Sequence, residues 1–181
     1  GPSRGPATNN KGITMHLIIV ANVNDETIGP STAKDMEAMQ QLMAGLAGDM
    51  KIKLSPLMIA GNNYSKKNLL NALSGLKPGP NDIVVFYYSG HGFRKSTTPL
   101  DRLPKDSIYP FLDMRTNPQE DYLVQSVGID SIYQIILRKG ARCNLVMADC
   151  CNTEVEITNV EAEPPGQPRG PIMQRNMRNL E

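Results

Sequence analysis

The sequence lacks the features that mark membrane, nucleic-acid-binding and disulfide-rich proteins. No apolar run among its 181 residues approaches the roughly 18 residues of a membrane-spanning helix, and no secretory signal opens the chain. The formal net charge is +1 without a basic block, so we expect neither nucleic acid nor membrane as a partner. The three cysteines are odd in number, and Cys150 and Cys151 are adjacent, which disfavours a bridge between them. We therefore expect a cytoplasmic protein with free thiols.

Composition divides the chain into three segments. Residues 1–12 are rich in Gly, Pro and Asn and are predicted to be disordered, and Gly1-Pro2 is typical of the remnant that a tag-removing protease leaves. Residues 13–159 are long enough for one domain with a sizeable core. Residues 160–181 are rich in Pro, Gly, Glu and Arg, and are predicted to be a linker or a cloning-derived tail.

Apolar runs and amphipathic segments alternate along residues 13–159. Four runs predict strands, at 16–22, 52–60, 82–88 and 143–148, and Pro56 places the second strand at an edge or a bend. Between them the helical spacing of apolar residues predicts a helix capped by Ser31 or Thr32, one capped by Ser65, and one beginning near Gly128. Residues 94–125 contain four prolines and are predicted to be irregular. This order predicts a three-layer α/β fold with a mostly parallel sheet.

Reactive side chains follow two of the predicted strands. Sites in open α/β sheets lie just beyond the carboxyl ends of strands. Here Ser89-Gly90-His91-Gly92 follows the third strand, and Asp149-Cys150-Cys151 follows the fourth. A thiol beside an imidazole becomes a nucleophile, since the imidazole takes its proton or lowers its pKa. We expect such a pair here.

The other histidine and cysteine have structural interpretations. His16 begins a buried strand, and Cys143 begins another, where a free cysteine usually acts as a small buried residue. Other chemistries fit less well, because the sequence has no CxxC spacing for zinc, no GxxxxGK[ST] phosphate loop and no GxSxG elbow.

The two segments resemble the large catalytic subunit of the caspase and metacaspase superfamily. The caspase signature places histidine about 50 residues before the cysteine, and the separation here is 151 − 91 = 60. The Asp-x-Cys form at Asp149 is similar to that of metacaspases, which makes Cys151 the nucleophile and Cys150 the middle residue. The chain departs from the metacaspase pattern after Cys151, where it has Asn152-Thr153-Glu154 in place of His-Ser-Gly.

The resemblance implies a mechanism and a specificity. His91 and Cys151 would form the catalytic dyad, and the N–H groups of Gly92 and Cys151 would form the oxyanion hole. A pocket lined by Asp35, Ser89 and Asp149 would favour Arg or Lys before the scissile bond of a peptide substrate, because two carboxylates attract a cation. For Asp35 alone, a helix-start carboxylate favoured by the helix dipole is an equal alternative.

The resemblance also implies partners and processing. A small second subunit with further strands is expected beyond residue 181, and a zymogen would cleave itself in the linker at Arg169, Arg175 or Arg178. We expect no metal or other cofactor; calcium is a lesser expectation, for which the candidate ligands are Asp106, Asp113, Glu120 and Asp121. Two alternatives stay open, a non-catalytic caspase-like interaction or scaffold domain and a flavodoxin-like ligand-binding domain.

Overall fold

The computed structural model describes residues 12–96, 109–151 and 153–156. In chain order the elements are β1 (Thr14–Ala21), α1 (Gly29–Met50), β2 (Lys53–Ala60), α2 (Lys66–Gly75), β3 (Ile83–Ser89), β4 (Gly92–Ser96), β5 (Phe111–Asp113), β6 (Ser126–Gly128), α3 (Ile129–Leu137), β7 (Cys143–Asp149) and β8 (Thr153–Glu156). A single 3₁₀ turn, Gly61–Asn63, follows β2.

The central sheet is parallel and has the strand order β2-β1-β3-β7. Its middle strands, β1 and β3, are almost wholly buried, as their apolar and β-branched runs predict. Within the part of the chain that the structure describes, the strand with Pro56 lies at an edge, where a residue whose nitrogen faces outward costs no ladder hydrogen bond. The predicted edge position of this strand is confirmed.

Helices cover both faces of the central sheet. Met15, Leu17 and Ile19 of β1 pack with Met43 and Ala47 of α1 on one face. The alternate residues of β1 and β3 face the other way, in a core with residues from α2 and α3: Ile18, Val20, Val84, Phe86, Leu69, Leu73, Ile132 and Ile136. This is the predicted three-layer α/β fold.

Of the two predicted helix caps, one is confirmed and the other is wrong. Ser65 caps α2, since its Oγ accepts a hydrogen bond from the Asn68 N–H at 3.1 Å. The prediction that Ser31 or Thr32 caps α1 is wrong, because α1 begins at Gly29 without a side-chain cap. Pro30 explains the earlier start, since its fixed φ suits the first helical turn and its missing N–H needs no acceptor there.

A second, smaller sheet continues from the carboxyl end of the central one. Its order is β6-β5-β4-β8, with β4 and β8 parallel and the other pairs antiparallel. The prediction that residues 94–125 are irregular is therefore wrong for β4 and β5, while residues 97–108 lie outside the described part. Phe93 stacks on Phe111 at 5.7 Å between ring centroids, so tertiary contact supports strands too short to leave a sequence pattern.

Within the described ranges, no helix combines the length and the apolar character needed to cross a membrane. Cys143 is exposed, and its predicted burial is wrong. The reason is its place at the start of β7, which is the last strand of the central sheet among the described residues and is covered less than β1 and β3.

Candidate active site

His91 and Cys151 occupy corresponding positions in two chain segments that run side by side. Ser89 pairs with Asp149 in the β3–β7 ladder, and Phe93 pairs with Thr153 in the β4–β8 ladder. Both offsets are 60 residues (149 − 89 and 153 − 93), which is also the spacing of His91 and Cys151. Between the ladders the Gly90 N–H donates to the Asp149 carbonyl at 3.3 Å. The imidazole and the thiol therefore stand at the junction of the two sheets.

The glycines beside His91 allow this close approach. A Cβ placed on Gly92 would lie 2.5 Å from the Cys151 carbonyl oxygen and 2.6 Å from Cys150 Sγ. A Cβ placed on Gly90 would collide with the Tyr88 hydroxyl. Both positions thus require glycine for packing, since no real side chain tolerates such distances.

The two adjacent thiols have different environments. Cys150 is partly buried and packs against the core that contains α2 and α3. Burial, followed by the nearby Cys151 and Asp149, raises the pKa of the Cys150 thiol to about 11. Cys151 is exposed. Since the thiolate is the reactive form, Cys150 is poorly suited to act as a nucleophile at neutral pH.

The side chain of His91 contacts a carboxylate that the sequence did not single out. Its Nε2 lies 3.0 Å from Oδ2 of Asp25, in the loop between β1 and α1. Asp25 Oδ1 accepts hydrogen bonds from the Thr27 N–H at 2.8 Å, from Thr27 Oγ1 at 2.7 Å and from the Ile28 N–H at 3.0 Å. Burial acts to raise the pKa of Asp25, but these hydrogen bonds and the neighbouring His91 outweigh it and lower that pKa to about 2.

Sequence reasoning missed Asp25 although a signal was present. Asp25 follows β1 at the same edge of the sheet as Ser89 and Asp149, so the rule on carboxyl strand ends applies to it as well. The prediction considered it only as a loop residue.

Two buried tyrosines fix the position of the His91 backbone, one directly and one through Asp113. The Tyr88 hydroxyl donates to the His91 carbonyl at 2.7 Å, and the Asp113 N–H donates to the same oxygen at 3.0 Å. The Tyr64 hydroxyl donates to the Asp113 carbonyl at 2.6 Å. Burial raises the pKa of both phenols, so they remain protonated donors. These hydrogen bonds fix the main chain of His91. Its side chain stays exposed and keeps 43% of its accessible surface.

The three residues predicted to line a specificity pocket lie together. Ser89 is 2% exposed, and its Oγ donates to Asp35 Oδ2 at 2.8 Å. Asp149 is the direct ladder partner of Ser89, so the two side chains leave the sheet on the same face. Burial, then Asp35, then Asp149, raises the pKa of Tyr87 on that face. Two carboxylates thus act on one small region beside the His91 loop.

The acidic residues considered for calcium have other partners. Asp113 forms an ion pair with Arg115, with 2.7 Å between Oδ2 and Nη2. Glu120 and Asp121 each accept hydrogen bonds from backbone N–H groups of their own loop. Asp106 lies outside the described residues. Within the parts of the chain that the structure describes, no three His, Cys, Asp or Glu side chains form a group that could hold a metal ion.

The parallel α/β sheet thus carries an imidazole and a thiol at neighbouring strand ends, an arrangement that could support nucleophilic catalysis. The caspase domain family matches residues 16–179, which is 164 of the 181 residues (179 − 16 + 1). The chain therefore belongs to the caspase domain family of cysteine peptidases. Because the chain belongs to this family, the alternative of a flavodoxin-like ligand-binding domain is wrong. A comparison with curated proteins finds no match.

Proposed function

We propose that the protein is a cysteine endopeptidase that uses Cys151 as nucleophile and His91 as acid and base, and that cleaves after Arg or Lys. The observation that carries the proposal is the common offset of 60 residues on both sides of His91 and Cys151. The different settings of the thiols support Cys151 over Cys150, because Cys151 is exposed while Cys150 packs against the core.

In the proposed reaction the Cys151 thiolate attacks the carbonyl carbon of the scissile peptide bond. The N–H groups of Gly92 and Cys151 stabilise the negative oxygen of the tetrahedral intermediate. His91, which holds the thiol proton, gives it to the leaving amine as the carbon–nitrogen bond breaks. Water then attacks the acyl-enzyme with His91 as base, which releases the acid product and restores the thiol.

The proposed preference for Arg or Lys rests on Asp35, Ser89 and Asp149. A guanidinium or ammonium group entering this region meets two carboxylates, whereas a substrate aspartate meets like charge. Ser89 holds one oxygen of Asp35 and so fixes that carboxylate at the pocket wall.

A second subunit and self-processing belong to the same proposal. Strand β7 has β3 on one side and is the last strand of the central sheet among the described residues, and Leu145 on it is 42% exposed. A smaller subunit that adds strands at this edge would cover that surface. Processing would occur at Arg169, Arg175 or Arg178, which lie outside the described residues.

The test uses full-length protein and three fluorogenic peptides that differ only in Arg, Lys or Asp at the cleaved position. We expect hydrolysis of the Arg and Lys peptides, and its loss in Cys151→Ala. Cleavage of the Asp peptide alone would contradict the proposed pocket. The alternative, a non-catalytic interaction domain, predicts no hydrolysis and no covalent labelling of Cys151 by a thiol-reactive peptide probe.

A further inference from the structure

The Asp25 carboxylate and the His91 imidazole lie within hydrogen-bond distance of each other. We propose that Asp25 is a positioning residue, which holds a proton on Nε2 of His91 and thereby turns Nδ1 toward Cys151 and the substrate. The inference rests on the proposed function, in which His91 transfers protons. Asp25 itself does not contact the reacting atoms.

The two oxygens of Asp25 have separate partners. Oδ1 accepts all three hydrogen bonds from the turn that leads into α1, from Thr27 and Ile28. Oδ2 lies 3.0 Å from His91 Nε2. Rotation of the carboxylate would break the bonds of the turn, so Oδ2 has a fixed position relative to the imidazole. A carboxylate that served the turn alone would need only Oδ1.

The chemistry of the pair determines the tautomer of His91. An ionised carboxylate only accepts hydrogen bonds, so the ring nitrogen that faces Asp25 must carry a proton. In neutral His91 this leaves the lone pair on Nδ1, which can take the proton of Cys151. In the imidazolium both nitrogens carry protons, and Nδ1 delivers its own to the leaving amine while Nε2 keeps its bond to Asp25.

The chain contains a matched pair away from the site. His16 Nε2 lies 2.9 Å from Asp82 Oδ2, and Asp82 also accepts hydrogen bonds from the N–H groups of Thr14 and Gly79. Asp82 immediately precedes β3 and His16 lies near the start of β1, so this pair is at the amino edge of the sheet. It has the same hydrogen-bond chemistry at the edge of the sheet opposite to Cys151, and a structural role suffices for it.

The decisive variant is Asp25→Asn. The amide oxygen can take the place of Oδ1 and keep the turn, which leaves the amide NH₂ facing His91 Nε2. An NH₂ group only donates, so neutral His91 must move its proton to Nδ1, and the nitrogen directed at Cys151 can no longer accept one. We expect kcat to fall by roughly 10²–10⁴-fold, the range that a positioned acid–base group contributes, and KM to change by less than about threefold.

The tautomer is measured directly by two-dimensional ¹H–¹⁵N NMR of the imidazole rings at a pH of about 8.5, where an ordinary histidine is neutral. Residues 1–181 contain two histidines, and the ring signals lost in His16→Asn and in His91→Asn assign each of them. We expect the Nε2–H form of His91 in the unaltered protein and the Nδ1–H form in Asp25→Asn. In Asp82→Asn, the matched control, kcat and the His91 signals should stay unchanged.

The outcomes separate the two proposals. If Cys151→Ala still hydrolyses the peptides, the proposed function is wrong, whatever Asp25 does. If Cys151→Ala is inactive while Asp25→Asn retains kcat within about threefold or keeps the Nε2–H form, the function stands and the positioning role of Asp25 is wrong. Loss of kcat together with the change of tautomer supports the role, because a purely structural defect would not move the proton between ring nitrogens.

Discussion

Ser89 and Asp149 are directly paired across the β3–β7 ladder, and Ser89 also donates a hydrogen bond to Asp35. One buried hydroxyl therefore lies between a carboxylate from α1 and a carboxylate from the neighbouring strand. The Ser-Gly-His and Asp-x-Cys segments thus supply two walls of the same proposed pocket, and each wall leads within two residues to a proposed catalytic group.

Asp149→Asn should weaken the selection of basic residues. Replacement of the carboxylate by an amide removes one charge-assisted partner of a substrate guanidinium, which is worth about 1.5–3 kcal/mol, or roughly 10–150-fold in kcat/KM for an Arg peptide. The measurement is kcat/KM for Arg and uncharged peptides side by side. Asp49→Asn is the control, because Asp49 is an exposed carboxylate near the far end of α1. Equal losses for both peptides would argue against a charge-selective pocket.

The two adjacent thiols should differ in alkylation rate. The rise in the pKa of Cys150 from 9.0 to about 11 lowers its thiolate fraction roughly a hundredfold at neutral pH, and partial burial slows its reaction further. We expect iodoacetamide to modify Cys151 at least about tenfold faster than Cys150, as followed by peptide mass spectrometry, because the higher intrinsic nucleophilicity of the Cys150 thiolate offsets part of the difference in thiolate fraction. The exposed Cys143 is the internal reference. Faster modification of Cys150 would assign the nucleophile to the other thiol.

Gly92→Ala should damage both stability and activity. The new methyl group would meet the Cys151 carbonyl and the Cys150 thiol at less than contact distance, so the segment that carries Cys151 must shift. Such overpacking costs about 1–3 kcal/mol, measured by denaturant unfolding, and kcat should fall with the displaced nucleophile. Gly45→Ala is the control, since nothing surrounds that position in α1 and alanine favours the helix by about 1 kcal/mol. Equal stability of the two variants would mean that the Gly92 contact relaxes freely.

The core of the fold could be predicted from sequence because its signals are local. Each signal acts on its own segment of the chain. This holds for the apolar runs of β1 and β3, for the proline of β2 and for the cap at Ser65. Strands of three residues, such as β5 and β6, could not be predicted, because their pairing depends on contacts between distant segments.

The site shows the same division between local and distant signals. Two strand ends with reactive side chains pointed to His91 and Cys151, whereas the contact of Asp25 with His91 depends on the path of the β1–α1 loop, which no residue pattern describes. Cys143 was expected to be buried because the sequence does not show which strand ends the sheet.

The low pKa of Asp25 should make the free energy of unfolding depend on pH under acidic conditions. The folded protein holds this carboxyl at a pKa of about 2, compared with 3.8 for an unperturbed aspartate, so the folded state favours the ionised form. The resulting stabilisation is fully present above about pH 4 and is lost as the pH falls toward 2, because protonation then becomes common to the folded and unfolded chains. Asp25→Ala removes the carboxylate and should lower the free energy of unfolding by about 1–3 kcal/mol at neutral pH. Unfolding of both proteins in urea between pH 7 and pH 2 measures the difference, which should shrink below pH 4. A difference that stays constant to pH 2 would mean that the hydrogen bonds from Thr27 and Ile28 do not favour the charged form of Asp25.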